Sequence, residues 1–309
     1  MYLGIDTSCY TTSLAVVDAQ GRLLWEARKL LPVPAGERGL RQSDGLFLHV
    51  QNLPDLMAEI VAKSGLLALR AIAASSSPRP VAGSYMPVFS AGVSFARALA
   101  TVLGVPYHTC SHQEGHVRAG MWSAGVSWDD FYVLHVSGGT TELLQIKMAE
   151  TPQIEEIGGS ADLHAGQFID RVGVALGLPF PAGPHLEALA QTAEETMEGI
   201  PVSVQGLQIS FSGPESHVQR LLTHYHPQTA AIARGVERCV AESLVRLLAV
   251  AMQRYGSKPV LFVGGVMANK FICQYLKERA EVTFVFATPH FAGDNAVGVA
   301  LMAANINNS

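Results

Sequence analysis

The sequence predicts an α/β protein made of two similar halves, on three observations. Short apolar, β-prone runs alternate with stretches of helical periodicity along the chain. A unit of three such runs around a small polar turn is written twice, at Leu3–Ala27 and again at Phe131–Glu150. The length, 309 residues, is room for two domains at about 150 residues each. With 49% hydrophobic and 15% charged residues, the chain is too apolar for a disordered polymer.

In the first half, LGID, the polar turn TSCYTTS, LAVVDA, the turn Gln20-Gly21 and LLWEA read as a meander of antiparallel strands. Helical stretches follow at Leu53–Lys63 and Ala91–Leu103, with the strand Ala71–Ser77 between them and a Pro78-Arg79-Pro80 and Gly83 loop after it. Val93, Ala96, Leu99, Ala100 and Leu103 fall on one face of the second helix. In the second half FYVLHV, SGGTT and ELLQI repeat the meander, with a third strand at Gln153–Ile157 and helices at Phe168–Leu176 and Ala230–Tyr255. Pro259–Val263 and Val282–Ala287 read as strands and Asn295–Asn305 as a small-residue helix. The expected domains are 1–128 and 129–309, with the last helix, from about residue 294, packing back on the first half.

Twenty-one basic against twenty-six acidic residues give a net charge of −5, so no global positive field recruits nucleic acid. No apolar run reaches the roughly 18 residues of a membrane helix, and the N-terminus lacks the basic and apolar segments of a signal peptide. Cys9, Cys110, Cys239 and Cys273 form no CxxC pair and read as reduced, mostly buried thiols of a cytoplasmic protein.

Three polar turns follow strands. Ser137-Gly138-Gly139-Thr140-Thr141 offers glycines that admit a phosphate close to backbone N–H groups. Asp6-Thr7-Ser8 holds the equivalent place in the first copy, so the two turns read as halves of a nucleotide clamp, and Val263-Gly264-Gly265-Val266 is a third such turn. His112 and His116 are spaced i, i+4; on a helix over Ser111–Ala119 they share one face and can share a metal ion. Asp294 is the candidate third ligand, against a simple helix N-cap. HQEGH lacks the glutamate after the first histidine that a zinc protease needs. Asp170 and the FPAGP loop with Gly183 suit ribose and adenosine, against a solvated acid and a plain turn.

LGIDTSCYTTSLAVVD, SAGVSFARALA, SHQEGH, VSGGTTELL, FPAGP, ISFSG, GGVMAN and GDNAVGVA occur in the order found in the TsaD family, the threonylcarbamoyl transferases that modify tRNA, which this chain resembles along nearly its whole length. The resemblance implies the actin-like ATPase (ASKHA) fold, two ribonuclease-H-like domains around a nucleotide cleft. It implies transfer of a threonylcarbamoyl or carbamoyl group from an adenylate to an acceptor, in the family the exocyclic amine of the tRNA adenosine next to the anticodon. His112, His116 and Asp294 would bind one iron or zinc ion; Ser137, Gly138, Gly139 and Thr140 would cradle the nucleotide phosphate. Asp170, Gly183 and Glu187 would contact ribose and adenine, and Asn269 would complete the adenosine site. The implied partners are an adenine nucleotide, tRNA, a smaller paralogue of the same fold and an ATPase.

The chain departs from the family where acid–base chemistry is expected. Tyr10 and Thr11 replace an Asp-Glu pair after TSC, and neither acts as a carboxylate base at neutral pH. Thr140 replaces the histidine of SGGHT, Glu215 appears in SFSGPES, and RQSDGLFLHVQNLP replaces a glycine-rich stretch. The resemblance is therefore to a divergent paralogue, and the alternative to an active transferase is a catalytically impaired nucleotide- and metal-binding subunit. A third reading, a kinase or ATPase, needs a carboxylate by the phosphates, for which Asp6 is the candidate in the first turn.

Overall fold

Hydrogen bonding resolves the repeated unit into one sheet order formed twice. Near the N-terminus β1 (Tyr2–Thr7), β2 (Thr11–Val17) and β3 (Leu23–Leu30) form the antiparallel meander. On the other side of β1, β4 (Ala71–Ser77) and β5 (Tyr107–Ser111) add in parallel, giving the order β3-β2-β1-β4-β5. The second sheet has the meander β6 (Asp130–Val136), β7 (Thr141–Lys147) and β8 (Gln153–Ser160), then the short strands β9 (Ser203–Gln205), at the edge, and β10 (Gln208–Ser210), between β8 and β9. Its parallel additions are β11 (Val260–Val263) and β12 (Phe284–Phe286), in the order β12-β11-β6-β7-β8-β10-β9. Read from β8 to β12, this is the order and direction of the first sheet.

The structure, a computed structural model, describes residues 1–8, 10–32, 40–64, 68–148, 152–194, 199–224 and 228–308. Cys9 lies outside them; Cys110 and Cys239 are buried free cysteines and Cys273 is half-buried. The chain divides into two units, Met1–Val126 with Gly293–Ser309, and Ser127–Ala292. Among the described residues no helix is long and apolar enough to cross a membrane.

In the first unit the sheet is covered on both faces, which is why every residue of β1 and β2 is buried. Strand alternation sends Leu3 and Ile5 of β1 into a core with Leu53, Leu56 and Ile60 of α1 (Gln42–Ser64) and Ala91, Ala96 and Ala100 of α2 (Phe89–Leu103). Gly4 and Asp6 point the other way, toward α3 (His112–Ala124) and α10 (Val297–Asn308). A Cβ at Gly4 would strike the α10 backbone at Ala300, and one at Gly298 would strike the Gly115 carbonyl of α3. These glycines let α10 lie directly on both β1 and α3.

Three expectations are corrected here. The polar turn is shorter than TSCYTTS, because Thr11, Thr12 and Ser13 are buried members of β2. Helix α1 begins at Gln42 rather than Leu53, with Pro54 inside it. Its first half hides His49 and Asn52 and exposes Phe47 and Val50, so the apolar periodicity there is inverted. Leu103, placed on the apolar face of α2, is exposed beside the left-handed Gly104 that ends the helix.

The second core lies between β6 and β7 and the helices α4 (Ala165–Ala175), α5 (Gly183–Ala190), α6 (Ser212–His224) and α7 (Thr229–Tyr255). Phe168 and Phe211 stack in it with centroids 5.6 Å apart. Fully burying each such ring stabilises by about 1.5–3 kcal/mol. Helices α8 (Lys270–Arg279) and α9 (Pro289–Ala292) flank the parallel strands.

Candidate functional site

The first unit builds a three-donor cluster from α3 and the segment entering α10. Ser111 caps α3: its Oγ accepts from the Glu114 N–H (3.2 Å), and its own N–H donates to Glu114 Oε2 (2.7 Å). The helix therefore begins at His112, and His116 follows one turn later on the same face. Asp294 does not cap α10, which starts at Val297; Asn295 Oδ1 takes that role by accepting the Val297 N–H at 3.0 Å. The Asp294 carboxylate is thus available to the histidines.

His112 Nε2 lies 3.0 Å from His116 Nε2, His116 Nε2 3.1 Å from Asp294 Oδ1, and His112 Nε2 3.4 Å from the same oxygen. Metal–ligand bonds of about 2.0–2.2 Å at tetrahedral or octahedral angles put neighbouring donors about 3–3.5 Å apart. The triangle therefore has the dimensions of one face of a coordination sphere. Two imidazoles and one carboxylate on one side leave positions open, the donor set of non-haem iron and of catalytic zinc. The three residues fit a single iron or zinc ion. Burial alone would raise the Asp294 carboxyl, but hydrogen bonds and charge from His112 and His116 hold it well below the usual range. Burial would likewise lower His112, yet the charge of Asp6, with hydrogen bonds to Asp294 and Asp6, raises it well above the usual range.

Asp6-Thr7-Ser8 is not an open cradle, which corrects its reading as half of a phosphate clamp; all three residues are buried. Asp6 Oδ1 lies 2.9 Å from His112 Nδ1. Thr7 Oγ1 donates to the Val88 carbonyl at 3.0 Å, and Ser8 Oγ donates to Asp294 Oδ2 at 2.5 Å. His49, wholly buried, donates from Nε2 to the Ser8 carbonyl (2.7 Å) and accepts at Nδ1 from Thr12 Oγ1 (2.8 Å). Burial holds its imidazole below the usual range.

In the second unit, the turn after β6 is closed at its base by the Ser137 N–H donating to the Thr140 carbonyl at 2.8 Å. Gly138 and Gly139 are exposed at its tip. Helix α4 abuts it: a Cβ on Gly166 would come within 2.5 Å of the Ser137 carbonyl oxygen, and the Ala165 N–H donates to Thr141 Oγ1 at 2.9 Å. Further along α4, Asp170 Oδ1 accepts from the Ala182 N–H at 2.7 Å and ties down the FPAGP loop that opens α5. Burial raises the Asp170 carboxyl, against hydrogen bonds from the Ala182 and Gly183 N–H groups. Gly183 and Glu187 stand one turn apart on α5, and Glu187 Oε1 accepts from the Lys270 N–H at 2.9 Å. Asn269 caps α8, accepting from the Ile272 N–H at 2.9 Å, while its Nδ2 donates to Glu237 Oε1 at 2.6 Å. The expected residues thus follow one path through turn, α4, α5 and the start of α8. Asp170, Glu187 and Asn269 each also commit a polar atom to the fold. Glu237, which sequence reasoning missed, is a glutamate on the apolar face of α7, wholly buried, 2.6 Å from Arg234 and pushed by burial up to about 7.

The doubled sheet order defines the actin-like ATPase fold class. Solved structures with this fold include the activator of the 2-hydroxyisocaproyl-CoA dehydratase from Clostridium difficile with bound ADPNP, at a TM-score of 0.58 and 14% identity over 100% of this chain and 96% of that one. A ROK family glucokinase from Streptomyces griseus matches at 0.54 and 14% identity, covering 98% and 99%. Within that class, residues 47–301 match the model of the family TsaD, tRNA N6-adenosine threonylcarbamoyltransferase, and the chain belongs to this family. Relatives bearing that name come from Thermus thermophilus, 30% identical over 97% of this chain and 91% of its own length, and Dichelobacter nodosus, 30% identical over 98% and 90%. Another, from Methanopyrus kandleri, is 28% identical over 96% and 85%.

Proposed function

We propose that this chain is a metal-dependent transferase that moves a threonylcarbamoyl or carbamoyl group from an adenylate to an acceptor amine, with the tRNA adenosine next to the anticodon as the family's acceptor. The observation that carries the reading is the His112, His116 and Asp294 triangle, whose edges suit one divalent cation. A bound iron or zinc ion supplies Lewis-acid polarisation of a carbonyl or phosphoryl oxygen. The chain's own residues do the rest in each unit separately. His112, His116 and Asp294 would hold the cation with three ligand atoms. The exposed Gly138-Gly139 backbone, flanked by Ser137 and Thr140, takes phosphate oxygens, and Asp170, Gly183, Glu187 and Asn269 form the nucleoside side. The partners are an adenine nucleotide and tRNA, with a smaller paralogue and an ATPase, in the cytoplasm; with a net charge of −5, a partner supplies the RNA-attracting surface.

A second reading, a nucleotide- and metal-binding subunit without turnover, is favoured by one feature. Thr11 is a buried strand residue and Tyr10 is half-exposed where the family carries carboxylates, so no carboxylate base stands at either position. The two readings separate on incubation with threonylcarbamoyl-adenylate and an anticodon stem-loop, with the modified nucleoside detected by mass spectrometry. The transferase yields product that is lost in His116→Ala. Adenylate binding by calorimetry without product supports the subunit. Neither binding nor product contradicts both.

A further inference from the structure

The geometry points to Asp6 and Ser8 as the residues that aim two of the three cation ligands, so that the strand β1 positions the metal site rather than a phosphate. The inference rests on the reading of His112, His116 and Asp294 as metal ligands and goes one shell beyond it. Asp6 lies near the end of β1 and Ser8 immediately follows the strand, and both side chains reach the side that carries α3 and the segment before α10. Each grips a different ligand: Asp6 Oδ1 at 2.9 Å from His112 Nδ1, and Ser8 Oγ at 2.5 Å from Asp294 Oδ2.

The chemistry of each contact sets the atom presented to a cation. A carboxylate only accepts, so when His112 binds a cation as a neutral imidazole its one proton sits on Nδ1, and the Nε2 lone pair is on the side of His116 and Asp294. Ser8 donates to Oδ2 of Asp294 and leaves Oδ1 toward the histidines. Ser8 is itself fixed, because the buried His49 donates to its carbonyl at 2.7 Å. Asp6 is completely buried, and its Oδ2 has no hydrogen-bond partner among the described residues. A half-satisfied buried carboxylate costs free energy unless a positive charge lies near. A divalent cation held by His112 would provide that charge, and Asp6 with Asp294 would balance it beside two neutral imidazoles.

Asp6→Asn tests the claim with little change of shape. Its amide can donate to Nδ1, which favours the tautomer with the proton on Nε2 and blocks the ligand. Competition titration with Zn2+ on metal-stripped protein should show a dissociation constant raised about 10- to 100-fold in Asp6→Asn, and about tenfold in Ser8→Ala. In Zn2+-loaded protein carrying 15N-histidine, the exchangeable Nδ1 proton of His112 should be visible in wild type and lost or shifted in Asp6→Asn. A role confined to folding would lower the melting temperature of the metal-free variant and leave that resonance and the Zn2+ affinity unchanged. Equal Zn2+ affinity in wild type and Asp6→Asn would overturn the positioning role while leaving the ligands intact. Equal affinity in wild type and His116→Ala would instead overturn the metal reading itself.

Discussion

Replacing Glu237 by glutamine should flatten the loss of stability between pH 5 and pH 8, so that the variant gains on wild type as pH rises. Glu237 lies wholly buried on α7, and burial raises its carboxyl from 4.5 to about 7 against the hydrogen bond from Asn269 and the charge of Arg234. In the unfolded chain the same carboxyl titrates at its ordinary value. Between the two values the folded protein therefore holds one more proton than the unfolded chain, so stability falls as pH rises through this window. A rise from 4.5 to about 7, at about 1.4 kcal/mol per pH unit, corresponds to a loss of about 3 kcal/mol once the group is fully ionised. Glutamine stays neutral, so it escapes that loss; its one side-chain oxygen serves only one of the two donors, Asn269 or Arg234, a cost present at every pH. Guanidinium unfolding of wild type and Glu237→Gln between pH 5 and pH 8 measures the effect, and other titrations cancel in the difference. The variant's stability relative to wild type should rise by about 2.5 kcal/mol over that range. A difference that stays flat within about 0.5 kcal/mol would refute the assignment of a raised carboxyl.

Gly298→Ala should cost about 1–3 kcal/mol, because the new methyl meets the Gly115 carbonyl where α10 crosses α3. The same change should weaken metal binding by shifting Asp294 against the histidines, as a metal titration would record. Asn269→Ala removes the α8 cap and leaves Glu237 without its amide donor, which together should cost about 2–4 kcal/mol in denaturant unfolding. Calorimetry on that variant should also show weaker adenylate binding. Ser111→Ala removes the side-chain arm of the α3 capping box and should cost about 1 kcal/mol, a melting point lower by a few degrees by calorimetry.

Much of the fold was legible because the meanders are strongly patterned: FYVLHV and ELLQI became β6 and β7 with the turn between them as expected. The triad was legible for a similar reason, since the i, i+4 histidines lie on a capped helix. What stayed hidden depends on tertiary burial of polar groups. Thr11 to Ser13 look like turn residues, yet they are strand residues because α1 covers them and His49 and Asn52 satisfy Thr12. The start of α1 was missed because its buried face carries His49 while Phe47 and Val50 face out. Asp6 and Ser8 resemble a phosphate turn in one dimension; only the approach of α3 and of the segment before α10 turns them toward His112 and Asp294. Glu237 left a faint signal, a glutamate in register with Ala233, Val236 and Val240 on the face that becomes core.

The most direct test of the account is the metal content of untagged protein, measured by elemental analysis on wild type and His116→Ala. The triangle of His112, His116 and Asp294 predicts close to one equivalent of iron or zinc in wild type, lost in the variant, with adenylate binding measured on the same samples. Equal, sub-stoichiometric metal in both proteins would contradict the metal-dependent transferase.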